Sequence, residues 1–129
     1  MEKEKEELYE ELKELDSHIK QLNKHLESMD AQITEVTSTK EIVQKFKELN
    51  VGDELRVPLS SGVYVKATLS DASTMMINVG SSVNTEKTPD EVLDIMNSQL
   101  AELSSYRDNL VSNMKELIIR VDEIQKHFS

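Results

Sequence analysis

Cysteine and tryptophan are absent from this chain of 129 residues, and aromatic residues make up only 4% of it. Without cysteine, the chain can form neither a disulfide framework nor a cysteine-ligated zinc site. Because 31% of the residues are charged and so few are aromatic, there is little material for a broad hydrophobic core. The composition favours an elongated, solvated helical molecule with a narrow packing interface over a compact enzyme.

Long apolar runs and clusters of positive charge are missing as well. No window approaches the roughly 18 consecutive apolar residues that a membrane span requires, and residues 1–9 are charged rather than apolar. The formal net charge is −10, and an acidic surface of this kind would repel phosphate backbones and anionic lipids. We expect a soluble cytoplasmic protein that binds neither nucleic acid nor membranes.

Glycine is scarce and confined to the middle of the chain, at Gly52, Gly62 and Gly80. The residues on either side carry heptad repeats, so the simplest structure is a pair of helical arms joined by a short middle segment. We predict an α+β fold in which a long antiparallel two-helix coiled coil carries two β-hairpins at its bend. In this division residues 1–50 form the N-terminal helix, 51–88 the two hairpins and 89–129 the C-terminal helix.

The first arm holds apolar residues at alternating spacings of four and three. This spacing is typical of a coiled-coil seam, whereas a helix packed on a globular core shows a broader apolar stripe. The seam residues are Leu8, Leu12, Leu15, Ile19, Leu22, Leu26, Met29, Ile33 and Val36.

The second arm has the same alternation and a defined start. Thr88-Pro89-Asp90-Glu91 combines an N-cap hydroxyl, a proline at the first helical position and a glutamate three residues after the cap. It predicts a helix that begins near Pro89. The seam residues of this arm are Met96, Leu100, Leu103, Leu110, Met114, Leu117, Val121, Ile124 and Phe128. If the two arms zip in antiparallel order, residue 12 lies near residue 126.

One basic residue interrupts each seam, Lys40 in the first arm and Arg107 in the second. Each can reach out of the seam towards a flanking carboxylate such as Glu41 or Asp108. Two interpretations remain open: these residues specify the register of the helices at a cost in stability, or they only extend into solvent.

The middle segment alternates apolar and polar residues in two blocks, which predicts two β-hairpins of the same design. Their turns are Ser60-Ser61-Gly62 and Gly80-Ser81-Ser82. Two hairpins on a two-helix coiled coil leave an uncovered apolar face and open edges, so we expect oligomerisation by edge pairing with other chains. The predicted assembly residues are Leu55, Val57, Val65, Leu69, Ile77 and Val79.

Four short motifs in the middle segment carry a resemblance to a known family. They are Val57-Pro58-Leu59, Tyr64-Val65, Val79-Gly80 and Glu86-Lys87, in this order. With the layout of helix, two hairpins and helix, they make the whole chain resemble an archaeal prefoldin of the alpha class; beta-class prefoldins have a single hairpin. The chain departs from the family pattern after Gly80, where glycine and aromatic residues are usual and Ser81-Ser82 stands instead.

The resemblance implies a function and a set of partners. Two alpha-class and four beta-class prefoldin subunits would assemble through their hairpins into a hetero-hexamer with intersubunit β-barrels. The hexamer would act as an ATP-independent molecular chaperone, a holdase that binds non-native client proteins at the distal tips of its coiled coils. It would then deliver them to a cytosolic group II chaperonin.

The distal tips of the coiled coil, near residues 5–20 and 115–129, are the expected client-binding site. Helix ends fray, so apolar residues there can become available to apolar segments of an unfolded client. The candidates are Leu8, Tyr9, Leu12, Leu15, Val121, Ile124 and Phe128. The alternative is that they are ordinary seam residues. Neighbouring acidic residues would keep the tip in solution and attract basic clients.

No motif supports catalysis or metal binding. His18 and His25 share a helix face, but the sequence places no third ligand beside them, and nucleotide-binding motifs are absent. We therefore predict no catalytic residues, no cofactor and no metal. Two other functions stay open: a homo-oligomeric or filament-forming prefoldin relative, and a coiled-coil structural scaffold without affinity for unfolded protein.

Overall fold

The computed structural model describes residues 2–128, which form two long helices with four short strands between them. The elements are α1 (Glu2–Phe46), β1 (Glu54–Ser60), β2 (Val63–Thr68), β3 (Met75–Asn78), β4 (Asn84–Lys87) and α2 (Pro89–Phe128). Strands β1 and β2 form hairpin 1, and strands β3 and β4 form hairpin 2; each hairpin is a separate antiparallel sheet. The predicted order of helix, two hairpins and helix is confirmed.

Helix α2 begins at Pro89, where the sequence predicted it. The Thr88 hydroxyl accepts a hydrogen bond from the backbone N–H of Glu91, and the Glu91 carboxylate accepts one from the backbone N–H of Thr88, both at 3.2 Å. The backbone N–H of Thr88, its hydroxyl and the nearby Lys87 ammonium together lower the pKa of the Glu91 carboxyl. This reciprocal capping satisfies backbone donors that the first helical turn would otherwise leave unpaired.

The chain packs as two compact units, of which the first contains the described residues up to Glu35 and from Leu100 onward. Leu22, Met29 and Leu110 are buried at its centre. The partly buried residues around them are Leu26, Leu103, Met114 and Leu117. All of these are seam positions, so the alternating spacing of four and three describes the packing of this unit.

The two helices of the first unit run antiparallel. The ring of Tyr9 stacks on the ring of Phe128, with centroids 4.7 Å apart. Residue 12 is three residues after Tyr9 in α1, and residue 125 is three residues before Phe128 in α2, so residues 12 and 125 lie level with one another. The register expected from the sequence, which placed residue 12 near residue 126, is therefore correct to within about one residue.

The second unit, Val36–Gln99, contains the last turns of α1, both hairpins and the first turns of α2. Val43, Val92 and Met96 are buried at its centre. The partly buried residues around them are Val36, Met75, Ile77 and Leu93. Because Met75 and Ile77 belong to β3, one face of hairpin 2 is part of the subunit's own hydrophobic core.

Hairpin 1 pairs Leu55 with Ala67 and Val57 with Val65, and its register shifts at a bulge between Pro58 and Ser60. Its turn contains Gly62 with a φ of 78°. This is the left-handed conformation that glycine adopts without a steric penalty, as the sequence predicted for this turn.

Hairpin 2 turns in a different way. The backbone N–H of Val83 donates to the carbonyl of Gly80 at 2.9 Å, so the two central residues of the turn are Ser81 and Ser82. Their φ angles, 48° and 63°, are both left-handed. Such a pair is characteristic of a type I′ turn, which favours asparagine and glycine and strains other residues. The prediction that the two hairpins share one design is therefore wrong at the turn.

Candidate functional site

The start of α1 and the end of α2 meet in the first unit, and the apolar side chains there form what we call the helix-end surface. It comprises the predicted client-binding residues Leu8, Tyr9, Leu12, Leu15, Val121, Ile124 and Phe128. At its centre Tyr9 and Phe128 stack with an interplanar angle of 20°, and the ring of His127 meets Phe128 edge-on at 5.9 Å. Tyr9 is 56% exposed and Phe128 is half-buried, so solvent reaches the pair mainly at Tyr9.

The other residues of the helix-end surface are less accessible. Ile124 is only 2% exposed and is the most deeply buried side chain among residues 2–128. The half-buried members are Leu8, Leu12, Leu15, Val121 and Phe128. The structure therefore brings the predicted residues together, but they differ in exposure to solvent. Ile124 is packed in the seam, and Tyr9 lies at the surface.

Arg120 joins the two helices beside this surface. Its guanidinium contacts the Glu11 carboxylate twice, with Nε to Oε1 at 2.7 Å and Nη2 to Oε2 at 3.1 Å, and its Nη1 lies 3.2 Å from Glu123 Oε2. The charge-assisted hydrogen bonds that Arg120 donates to Glu11 lower the pKa of the Glu11 carboxyl and raise the pKa of Arg120. Sequence reasoning missed Arg120; an arginine beside the seam, opposite a glutamate-rich arm, is the signal that could have found it.

A groove next to the aromatic pair carries an excess of carboxylates. Glu4, Glu7, Glu11 and Glu123 line it together with Arg120 and with apolar atoms of the seam. Arg120 engages two of these carboxylates, while Glu4 and Glu7 have no ion pair within residues 2–128. The helix-end surface therefore offers a partly exposed aromatic pair beside negative charge, an arrangement suited to apolar segments that also carry basic residues.

Arg107, the basic interruption of the second seam, forms an ion pair across the two helices. Its Nε lies 2.6 Å from Asp30 Oδ1. The hydrogen bond that Arg107 donates to the Asp30 carboxylate raises the pKa of Arg107, and the charge of Asp108 contributes less. The expected flanking partner, Asp108, is therefore not the residue that Arg107 contacts, and the observed pair favours a role in register. Lys40 makes no ion pair within the described part of the chain.

The predicted assembly residues lie on the two hairpins, in the second unit. On hairpin 1, Val57 and Val65 are 40% and 41% exposed, and Leu55 and Leu69 are half-buried. Leu59 and Val63 extend the exposed surface towards the turn. These side chains form what we call the apolar face of hairpin 1, and they leave a continuous apolar strip in contact with solvent.

The predicted assembly residues of hairpin 2, Ile77 and Val79, differ in their exposure to solvent. Ile77 is half-buried against Val43, Val92 and Met96, whereas Val79, closer to the turn, is exposed. The hydroxyl of Thr85, directly opposite Ile77, is buried without a hydrogen-bond partner among the described residues. Sequence reasoning could not separate the two hairpins, because both have the same alternation of apolar and polar residues.

The histidines and the helices offer no further site. His18 and His25 line one groove, but within residues 2–128 no group of three or more histidine, cysteine, aspartate or glutamate side chains is placed to hold a metal ion. Neither α1 nor α2 contains an apolar stretch that could span a membrane.

Comparison with known proteins gives a family for this chain. The family model described as prefoldin subunit matches residues 15–129. The prefoldin subunit alpha of Thermofilum pendens is 30% identical over 93 residues, which are 72% of each chain. The prefoldin subunit alpha of Methanopyrus kandleri is 30% identical over 78 residues, 60% of this chain and 50% of that protein.

One solved structure has a similar fold. A cryo-EM structure of filamentous prefoldin from Methanocaldococcus jannaschii aligns with a TM-score of 0.82 and covers 92% of this chain and 98% of its own. The sequence identity is 19%, so this match concerns the fold alone.

Proposed function

The chain belongs to the prefoldin family, a family of chaperone subunits, and we propose that it works as part of an ATP-independent holdase. In this proposal the assembled protein binds apolar segments of non-native proteins and releases them without chemical turnover. Its cytoplasmic location and the delivery of clients to a group II chaperonin are part of the same proposal, drawn from the resemblance to alpha-class prefoldins.

The proposed partners in assembly are beta-class prefoldin subunits, four of them with two copies of this chain. The apolar face of hairpin 1 supports this part of the proposal, because Leu59 is 64% exposed and Val57 and Val65 also contact solvent. An exposed apolar strip on a two-stranded sheet is unfavourable in an isolated subunit. Closure of the strands into intersubunit β-barrels would cover it and would remove the open edges.

The observation that carries the proposed function is the stack of the exposed Tyr9 ring on the half-buried Phe128 ring at the helix-end surface. Tyr9 is exposed and Phe128 is half-buried, and together their rings form an apolar platform beside Glu4 and Glu7, two carboxylates without an ion pair within residues 2–128. Aromatic rings provide a large contact area for unfolded chains at little cost in conformational entropy. We propose Tyr9 and Phe128 as the main client contacts, with Leu8 and Leu12 at the edge of the surface.

The test is suppression of aggregation. An unrelated enzyme is denatured in guanidinium and diluted into buffer that contains the complex with beta-class subunits, and light scattering records its aggregation. We expect the wild-type complex to suppress scattering and the Y9S/F128S complex to lose most of this protection. Tyr106 is a matched control, because its side chain is 50% exposed in the same unit and makes no part of the stack.

Two outcomes would contradict the proposal. A wild-type complex that assembles but leaves aggregation unchanged would indicate the scaffold function instead. Equal loss of protection in the Y106S and Y9S/F128S complexes would show that exposed aromatic area in general, and not the helix-end surface, binds clients.

A homo-oligomeric or filament-forming function is the second candidate. The observation that favours it is the fold match to the filamentous prefoldin of Methanocaldococcus jannaschii, which covers 92% of this chain and 98% of that one. Light scattering on the purified chain, alone and mixed with a beta-class prefoldin, separates the two. A discrete hexamer on mixing supports the chaperone complex, and a large homopolymer that ignores the partner supports the filament.

A further inference from the structure

Ile124 is a predicted client-binding residue that no client can reach while the two helices stay packed. It is only 2% exposed, although it lies about one helical turn before Phe128, the last described residue of α2. The last turn of a helix lacks part of its backbone hydrogen bonding and opens more easily than the middle. Side-chain contacts between α1 and α2 must therefore help to keep this part of the seam closed.

The ion pair of Arg120 with Glu11 crosses the seam beside Ile124. Counted from the stacked aromatic pair, residue 17 lies level with Arg120, and residue 13 lies level with Ile124. Glu11 is a further ~9 Å along α1 from residue 17, so the contact runs diagonally past Ile124 towards the helix end. All three side chains line the same groove. We call this ion pair the Arg120 strap.

The guanidinium of Arg120 is held between two carboxylates, one on each helix. Its Nε and Nη2 donate to the two oxygens of Glu11 at 2.7 Å and 3.1 Å, and its Nη1 donates to Glu123 Oε2 at 3.2 Å. A two-point contact between a guanidinium and a carboxylate fixes their relative orientation as well as their distance. Separation of the helix ends would break both bonds to Glu11 at once.

We propose that the Arg120 strap holds the ends of α1 and α2 together and thereby limits the access of clients to Ile124. While the strap is closed, a client contacts only the outer surface of the helix ends. When it releases, the helix ends separate, and Ile124 becomes available together with the half-buried Leu8 and Leu12. This inference rests on the proposed function and deepens it by naming the contact that regulates the client-binding site.

The strap is weak enough to open and close reversibly. The side chains of Arg120 and Glu11 are 45% and 37% exposed, and ion pairs in contact with solvent shift an equilibrium by only a few fold. A client that binds the open helix ends gains apparent affinity in proportion to the fraction of the protein that is open. Removal of the strap should therefore tighten client binding, whereas removal of an ordinary client contact would weaken it.

The test compares E11Q, which breaks the strap, with two matched controls. D30N breaks the ion pair of Arg107 with Asp30, which joins the same two helices about five turns along α1 from Glu11. E14Q changes an exposed carboxylate one turn from Glu11 that has no ion pair within residues 2–128. All three variants replace a carboxylate by its amide and make the same change in net charge.

The first measurement is hydrogen exchange of the full chain. We expect E11Q to raise the exchange rate of the backbone amides of residues 121–128 by roughly two- to fivefold, because the helix ends open more often. D30N and E14Q should leave this rate unchanged. Circular dichroism checks that every variant keeps its helices.

The second measurement is the affinity of the complex with beta-class subunits for an unfolded probe. The probe is reduced, carboxymethylated lysozyme with a fluorescein label, and fluorescence anisotropy records its binding. We expect E11Q to bind the probe roughly two- to fivefold more tightly than the wild type, and both controls to bind it as the wild type does. R120Q should behave as E11Q does. The E11Q/R120Q variant should bind no more tightly than either single variant, because all three lack the same contact.

Two results would overturn the inference. One is exchange of residues 121–128 in E11Q at the wild-type rate. The other is binding of the probe by E11Q that is no tighter than binding by E14Q, which would show that any tightening comes from the change in net charge.

Failure of this inference and failure of the proposed function are distinguishable. A wild-type complex that suppresses aggregation, with equal probe binding by E11Q and E14Q, would overturn only the role of the Arg120 strap. A wild-type complex that leaves aggregation unchanged would overturn the holdase, and the exchange rates of E11Q would still show whether the strap holds the helix ends together.

Discussion

Hairpin 1 leaves its apolar face in solvent, whereas hairpin 2 packs the equivalent face against two helices. In hairpin 1, Val57 and Val65 are opposite one another and both are about two-fifths exposed, at 40% and 41%. In hairpin 2, Met75 and Ile77 pack on the buried cluster of Val43, Val92 and Met96. Hairpin 2 thus contributes to the stability of the subunit itself, and hairpin 1 keeps its apolar surface available for another chain.

The connections to the helices account for this difference. Hairpin 2 leads directly into α2 through Thr88, whose capping hydrogen bonds fix the start of the helix next to β4. Hairpin 1 follows α1 only after a turn in which Asp53 accepts a hydrogen bond from the backbone N–H of Asn50 at 2.8 Å. The shorter, capped connection holds hairpin 2 against the helices, while the longer one sets hairpin 1 beside the end of α1.

The largest expected effect is on assembly. In V57D/V65D, two carboxylates replace exposed apolar groups on the apolar face of hairpin 1, so we expect the complex with beta-class subunits to dissociate. Thermal unfolding of the isolated chain should change little, because both side chains already contact solvent. Light scattering measures the mass.

M76D/N84D is the matched control for that experiment, because it places two carboxylates on the solvent-facing side of hairpin 2, where Met76 is 70% exposed. The control should assemble normally. Equal loss of assembly in both variants would show that added charge, and not the apolar face of hairpin 1, disrupts the complex.

A smaller effect, on stability rather than assembly, is expected from Ile77. Ile77→Ala removes three buried or half-buried carbons from the cluster around Val43 and Val92, which should lower the free energy of unfolding by about 1–2 kcal/mol. The measurement is urea denaturation of the isolated chain at fixed protein concentration. Val65→Ala in hairpin 1 should lower the free energy of unfolding by clearly less than Ile77→Ala does. If the two substitutions lower the free energy of unfolding equally, hairpin 2 does not stabilise the isolated chain more than hairpin 1 does.

The sequence predicts that the chain forms two hairpins, but it does not predict which of them packs against the helices. The order of elements, the start of α2 and the seam of the first unit follow from local rules: glycine placement, a capping box and the spacing of residues such as Leu22 and Leu110. Local rules cannot decide which hairpin covers Val92, because that depends on long-range packing between equally apolar faces.

For the candidate site, likewise, the sequence predicts its position in the fold but not the exposure of each residue. Its position at the helix ends follows from the antiparallel register, which two heptad patterns specify. The depth of each residue does not follow, since Tyr9 and Ile124 differ in exposure through side-chain packing that the repeat leaves open. The contact between Arg120 and Glu11 depends on the reach of a long side chain along the helices, and the apolar pattern carries no information about it.

The turns of the two hairpins should respond oppositely to exchange of glycine and serine. Ser82→Gly relieves a left-handed φ of 63° and should raise the free energy of unfolding by up to about 1 kcal/mol. Gly62→Ser imposes a left-handed φ of 78° on serine and should lower it by about as much. A Cβ at Gly62 would meet no atom within 4 Å, so this cost comes from the backbone alone. Thermal unfolding of the two variants tests the comparison, and shifts of the same sign would refute it.

The smallest expected effect concerns the loop between the hairpins and its response to acid. The carboxylate of Asp71 accepts hydrogen bonds from the Ser73 hydroxyl at 2.6 Å, the Ser73 backbone N–H at 2.7 Å and the Thr74 hydroxyl at 2.8 Å. These bonds, that of the Ser73 hydroxyl above all, lower the pKa of Asp71 from 3.8 to about 2. Since the folded loop holds the proton less tightly than the unfolded chain does, the stabilisation is complete above pH 3.8 and is lost as the pH falls towards 2. An NMR titration of the Asp71 carboxyl carbon should show this low midpoint, and Ser73→Ala should move it upwards. If the midpoint stays at the ordinary value in the wild type, the loop is not ordered by Asp71, and the two hairpins are joined by a flexible link.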